Sequence, residues 1–200
     1  MAARAKADGW QIEAVLNNDM IGNVTGIDGV TDNTSARIFS EATRSDETPK
    51  EAINRRFRGG EVDSPSRNLA RYIDRIADDY IANLDTMMIY RLDRFRRGGH
   101  HRPFNEMRFP GVRIMETHEH YDRQHQDLRS EAGRVYGDVI EFVDFDYAAK
   151  LTALNAVSLA SMAWAPAPPE GVTIEGAVSP DTTLHWQKSM GAVGYRVYWR

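Results

Sequence analysis

The stretch QIEAVLNNDM, Gln11–Met20, sets an apolar run directly before the polar cluster Asn17, Asn18 and Asp19. Such a run reads as a buried parallel strand whose C-terminal end carries the polar side chains. In open α/β sheets that end is where ligands bind. Upstream, MAARAKADG reads as the last turns of an amphipathic helix, stopped by a left-handed Gly9. Downstream, residues 21–33 form a glycine- and aspartate-rich loop, and Ser35–Glu41 reads as a short strand. Residues 43–63, charged and broken by Gly59 and Gly60, read as an irregular surface excursion. Ser64 and Pro65 then start a helix over Ser66–Asn83, with Leu69, Tyr72, Ile73, Ile76, Tyr80 and Ile81 at helical spacing. Strands are expected at Thr86–Leu92 and Gly111–Glu116, and a final packing helix at Phe145–Ala165. This alternation predicts an α/β layer on a mainly parallel sheet.

Composition narrows the function. The chain has 200 residues, 42% apolar and 27% charged, which is ordinary globular usage. Its net charge of −4 and pI near 5.9 leave no electrostatic footprint for nucleic acid or an anionic membrane. No apolar run approaches the ~20 residues that cross a bilayer. The absence of cysteine excludes disulfides, thiolate metal sites and a cysteine nucleophile.

The composition shifts at APAPPE, residues 165–170, a stiff linker that no helix continues through. Beyond it VTIEGAV, TTLHWQ and GYRVYWR alternate apolar and polar residues, an antiparallel β pattern. The expected organisation is an α/β domain over residues 1–165, a linker at 166–170 and the start of a β module at 171–200. A helix end at the start and a strand at the finish lead us to expect a piece of a longer protein.

Five of the six histidines, His100, His101, His118, His120 and His125, fall within 26 residues and are interleaved with carboxylates. Imidazole and carboxylate without thiolate suit zinc or another divalent ion in an open catalytic site. A solvated charged loop explains the same cluster equally well. Asp19, directly after the first strand, is either a ligand or a turn former. HExxH and GxSxG are both absent, and the paired glycines lack the lysine of a phosphate loop. Arg94, Arg96 and Arg97 could hold a substrate carboxylate or phosphate, although such a run is more often solvated.

Three segments together carry a resemblance: VLNNDMIGN at 15–23, DRFRRGGHHRPF at 93–104 and FPGVRIME at 109–116. In order and separation they resemble the co-catalytic di-zinc exopeptidases of the bacterial leucyl aminopeptidase and aminopeptidase Y family (peptidase family M, number twenty-eight). The likeness runs from about Ala2 to Pro168. It implies the C-terminal part of a three-layer α/β/α sheet, followed here by the start of a fibronectin type III-like module. By resemblance, Asp19 ligates one zinc and His101 the other. The remaining ligands and the glutamate base of that family lie upstream of Met1, so the isolated chain is expected to be inactive. The family commonly has aspartate where this chain has His100, and that position orients the loop. His100, Arg97 and His125 are therefore expected on the substrate side or behind the ligands, while His118 and His120 match no ligand. The resemblance implies a zinc-dependent aminopeptidase acting on peptide or protein substrates, with a secreted or periplasmic parent. The alternative is a non-catalytic, peptidase-like module that binds protein or carbohydrate.

Overall fold

The computed structural model describes residues 1–59, 61–176 and 178–197. It divides into two compact units, Met1–Ser158 and Leu159–Arg200. The first unit is built on a four-stranded sheet in the order β1-β4-β2-β3. Its strands are β1 (Val15–Asn18), β2 (Ser35–Ser40), β3 (Asp85–Ile89) and β4 (Gly111–Glu116). β1 runs parallel to β4 and β2 parallel to β3, but β2 and β4 are antiparallel. The sheet is thus mixed: two of its three pairings are parallel, as expected, and the central one is antiparallel. The hydrophobic pattern of a strand does not record which way its neighbour runs, and this central pairing joins segments far apart in the chain.

Every residue of β4 is buried, as expected for a strand with a neighbour on each side and cover on both faces. Its alternation separates two faces. Val112 and Ile114 share one face with Ala36 and Ile38 of β2, all fully buried. The apolar stripe of α3 (Pro65–Tyr80), namely Leu69, Ala70, Ile73, Ile76 and Ala77, is buried with them. Full burial stabilises each such aliphatic side chain by about 1.5–3 kcal/mol. α3 begins where the sequence indicates: Arg67 N–H donates to the Ser64 hydroxyl, and Pro65 occupies the first turn. Tyr147, Leu151 and Leu154 of α5 (Phe145–Trp164) are also fully buried. The Tyr147 hydroxyl donates to the Ser35 carbonyl at 2.7 Å. Asn18 and Asn155 exchange two side-chain hydrogen bonds, tying the end of β1 to α5.

The opposite face carries Asn17 and Arg113, which are register partners, together with Phe39. α1 (Ala2–Ala7) ends before Gly9, whose φ of 70° is the expected left-handed stop. Residues 43–63, expected to be irregular, contain α2 (Pro49–Arg58). Thr48 and Glu51 cap it reciprocally, each side chain bonding the other's backbone N–H. α4 (Arg102–Glu106) is a short helix that begins directly after His101.

In the second unit, the expected β pattern appears as an antiparallel hairpin of β7 (Thr173–Glu175) and β8 (Thr183–His185); the first unit carries a hairpin of β5 (Arg129–Glu131) and β6 (Arg134–Tyr136). The third expected segment forms no strand over residues 194–197, and its end, 198–200, lies outside the described residues.

Candidate functional site

β1 ends at Asn18, and the ladder continues through the backbone: Asp19 N–H donates to the Ile114 carbonyl, and Glu116 N–H to the Met20 carbonyl. Met20 has φ of 62°, a left-handed conformation that a large side chain rarely adopts. The chain therefore turns sharply just past Asp19, at the sheet edge where β1 and β4 both finish. Non-glycine residues held in this way concentrate at functional sites.

By strand alternation Asp19 shares the face of Asn17 and Arg113. Arg113 is 1% exposed and holds two carboxylates. Its Nη2 lies 3.0 Å from Asp19 Oδ2, and its Nη1 donates to both oxygens of buried Asp93 at 2.9 and 2.7 Å. The network continues from Asp93 to Arg94, from Arg94 to Glu119 and from Glu119 to Arg37. The burial of Arg113 and Asp93 is tolerable because each charge is matched.

His101 packs on the same face, 1% exposed. Its Nε2 lies 2.9 Å from the Leu92 carbonyl, which fixes Nε2 as the protonated nitrogen. Among the described residues, Nδ1 is buried and has no hydrogen-bond partner. A carbonyl behind one ring nitrogen and a free lone pair on the other is the arrangement of a metal-ligating histidine. Burial holds its pKa below the usual histidine value; Asp93 and Asp19 pull upward and Arg113 downward. Two glycines make room for the ring. A Cβ on Gly99 would lie 2.6 Å from Asn17 Nδ2 and 2.8 Å from His101 Nδ1. One on Gly111 would collide with Asn105 Oδ1 and lie 3.3 Å from His101 Cβ, where the side chain leaves the backbone.

The other expected residues are placed differently. His100 and Arg97 are exposed on the loop before α4. His118 faces Asp28 at 3.5 Å. His120 and His125 line a cleft of about 430 Å³ at the β1 and β4 edge, together with Asp19, Glu116, Arg123 and Asp138. Among the described residues no three histidines and carboxylates gather to hold a metal. Asp19 and His101 alone fall short of the three or four protein ligands that zinc takes. Sequence reading missed Arg113, Asp93 and Arg123. The signal for Arg113 was a lone cation inside the apolar strand GVRIME, which demands a buried partner.

The whole of this chain aligns over 203 residues, at 42% identity, with 47% of a protein of Leptosphaeria maculans named "Probable zinc metalloprotease". A protein of the same name from Pyrenophora tritici-repentis is 39% identical over 205 residues, covering all of this chain and 42% of the relative. The similarity supports a zinc metallopeptidase family. A third, from Pyricularia oryzae, is 39% identical over 198 residues, covering 94% of this chain and 39% of its own length. The chain spans between 39% and 47% of the length of these metalloprotease relatives. No protein-family model matches it.

Proposed function

We propose that this chain contributes part of the catalytic domain of a zinc-dependent exopeptidase of aminopeptidase type, which removes N-terminal residues from peptides or proteins. The observation that carries the reading is the similarity along the whole chain to proteins named as zinc metalloproteases. The His101 environment fits it: a buried, neutral imidazole with one nitrogen tied to a main-chain carbonyl is prepared to offer the other to a cation. Asp19 fits as a carboxylate at a strand end, beside a cleft large enough for a small ligand. In this reading Asp19 and His101 each meet one of two zinc ions, further ligands come from elsewhere in a protein of the relatives' length, and the chain alone does not catalyse. A secreted or periplasmic location of the parent protein belongs to the same proposal.

The second reading, a non-catalytic binding module, is favoured by one feature. Arg113 already neutralises Asp19, as a retired ligand would require. The two readings separate on a protein of the relatives' length assayed with leucine p-nitroanilide and zinc. The peptidase reading expects turnover that chelation removes and that Asp19→Ala or His101→Ala each abolish, with the fold retained. Turnover unchanged in either variant overturns the assignment. Zinc titration of the 200-residue chain alone is expected to show weak binding, and tight two-site binding would contradict the incomplete site.

A further inference from the structure

Two asparagines stand in the Asn-x-Ser/Thr pattern that accepts an N-linked glycan: Asn23-Val24-Thr25 and Asn33-Thr34-Ser35. The fold treats them oppositely. Asn33 is exposed in the turn that leads into β2, and its side chain makes no hydrogen bond among the described residues. Its backbone is nevertheless held in place. The Asn33 carbonyl accepts from Lys150 Nζ at 2.8 Å, and the Asp32 carboxylate accepts the Thr34 and Ser35 N–H groups at 2.8 and 3.1 Å. Asp32 therefore closes the local turn, which leaves the Asn33 amide free of structural duty. Asn23 is half-buried on the wall of the cleft, and both ends of its amide are engaged. Its Nδ2 donates to the His118 carbonyl at 3.0 Å, and its Oδ1 accepts from Arg123 Nη1. A trans secondary amide carries its substituent beside the carbonyl oxygen. A sugar on Asn23 Nδ2 would therefore enter the side that Arg123 occupies. Arg123 is itself stacked on Phe142, its guanidinium carbon 3.9 Å from the ring centre.

We propose that Asn33 is an N-glycosylation site, and that Asn23, despite the same sequence pattern, stays bare in the folded protein. The inference rests on the secreted location included in the proposed function. The donor is an oligosaccharide carried on a lipid pyrophosphate, and the transferase belongs to the secretory host. Asn33 Nδ2 bonds to the anomeric carbon of the sugar as the carbon–oxygen bond to the pyrophosphate breaks. The lipid pyrophosphate leaves, and the amide gives up one proton to solvent. In the folded chain the Ser35 hydroxyl, the group the pattern requires, already donates to Asp32, so transfer takes place before this turn closes. The fold then decides which glycan can remain. One at Asn33 stands in solvent over a turn that does not use the amide. One at Asn23 competes with Arg123 at the cleft wall and leaves it without its acceptor.

The test places a cleavable secretion signal before the 200-residue chain in a eukaryotic secretory host, so the site is read wherever the natural protein resides. Cleavage before aspartate separates the two asparagines, Asn23 on residues 19–27 and Asn33 on residues 32–45. Peptide N-glycosidase in 18O water then converts each glycan-bearing asparagine to 18O-labelled aspartate, read by mass spectrometry in the secreted and the cell-retained protein. Asn33 is expected to carry the label in most molecules of both fractions, and Asn23 in almost none of the secreted ones. Asn33→Gln should bring the secreted protein to the mass of the bare chain with its melting temperature unchanged, whereas Asn23→Gln should leave the glycan in place. Asn33 unlabelled in both fractions overturns the site, and that result needs no variant to fold. Secreted protein that melts cooperatively yet carries the label at Asn23 overturns the exclusion by Arg123. Neither metal nor turnover nor the protein's own leader enters the measurement, so its failure is distinct from failure of the peptidase or the secretion reading.

Discussion

Replacing Arg113 by Met removes the cation that joins the two ends of the site. Methionine is close in length and flexible, so it fills most of the space the arginine stem occupies. The cost is therefore electrostatic. Asp93, with its side chain 2% exposed, loses two hydrogen bonds of 2.9 and 2.7 Å. Breaking one side of a buried ion pair typically costs 3–5 kcal/mol, roughly, because the partner charge stays buried. Two contacts soften this. Arg94 N–H donates to Asp93 Oδ1 at 2.6 Å, and the Arg94 guanidinium lies 3.5 Å away. Asp19, whose side chain is 36% exposed, recovers solvation from water and adds little. The expected loss is the lower end of that range, about 3 kcal/mol, or a fall in Tm of roughly 6–12 °C for a domain of this size. Urea denaturation at pH 7 measures it, alongside Asp93→Asn and the double variant. Since the double variant leaves no buried charge, it should be more stable than Arg113→Met alone. A loss below about 1 kcal/mol, or strictly additive single effects, would refute the claim that Arg113 and Asp93 are coupled.

Three further outcomes follow from the same geometry. Gly99→Ala places a methyl group 2.6–2.8 Å from Asn17 and His101, so it should cost about 1–3 kcal/mol by overpacking in a thermal melt and disturb the His101 ring resonances. Glu116 has a folded pKa of about 8 against 4.5 for the free side chain, so the native state holds its proton longer than the unfolded chain does. Stability should therefore fall as pH rises from about 4.5 to 8, by at most about 1.4 kcal/mol per pH unit, and Glu116→Gln should flatten that slope in denaturation curves taken across this window. Thr48→Ala removes the hydroxyl arm of the α2 cap and should cost about 1 kcal/mol, read as faster hydrogen exchange at the amides of residues 50–52.

Much of the fold is legible in local signals. The Ser64-Pro65 start and apolar spacing of α3, the long apolar α5 and the stop at Gly9 each depend on neighbouring residues, and all appear at their expected places. Residues 43–63 read as an irregular surface excursion from their charge and paired glycines, although TPKE at 48–51 is a capping box followed by helix formers. The antiparallel seam between β2 and β4 was not legible, since pairing direction depends on connections through the whole chain. At the candidate site, the placement of Asp19 at a strand end and of His101 on a loop followed from sequence order. Arg113 and Asp93 did not, being twenty residues apart with no periodic relation. The cleft was illegible for the same reason. Asn23, Glu116, Arg123 and Phe142 converge only because the left-handed turn at Met20 and the loop after β4 meet at one sheet edge.

The central claim is that Asp19 and His101 are metal-facing residues of one site. Anomalous scattering at the zinc edge, recorded from crystals of a protein of the relatives' length, tests it most directly. The account predicts zinc at the Asp19 carboxylate and at the His101 imidazole, about 2.0–2.2 Å from the ligating atoms, with Arg113 drawn back to Asp93 alone. Zinc bound elsewhere, with Asp19 still paired to Arg113 and His101 still buried without a metal, would contradict it.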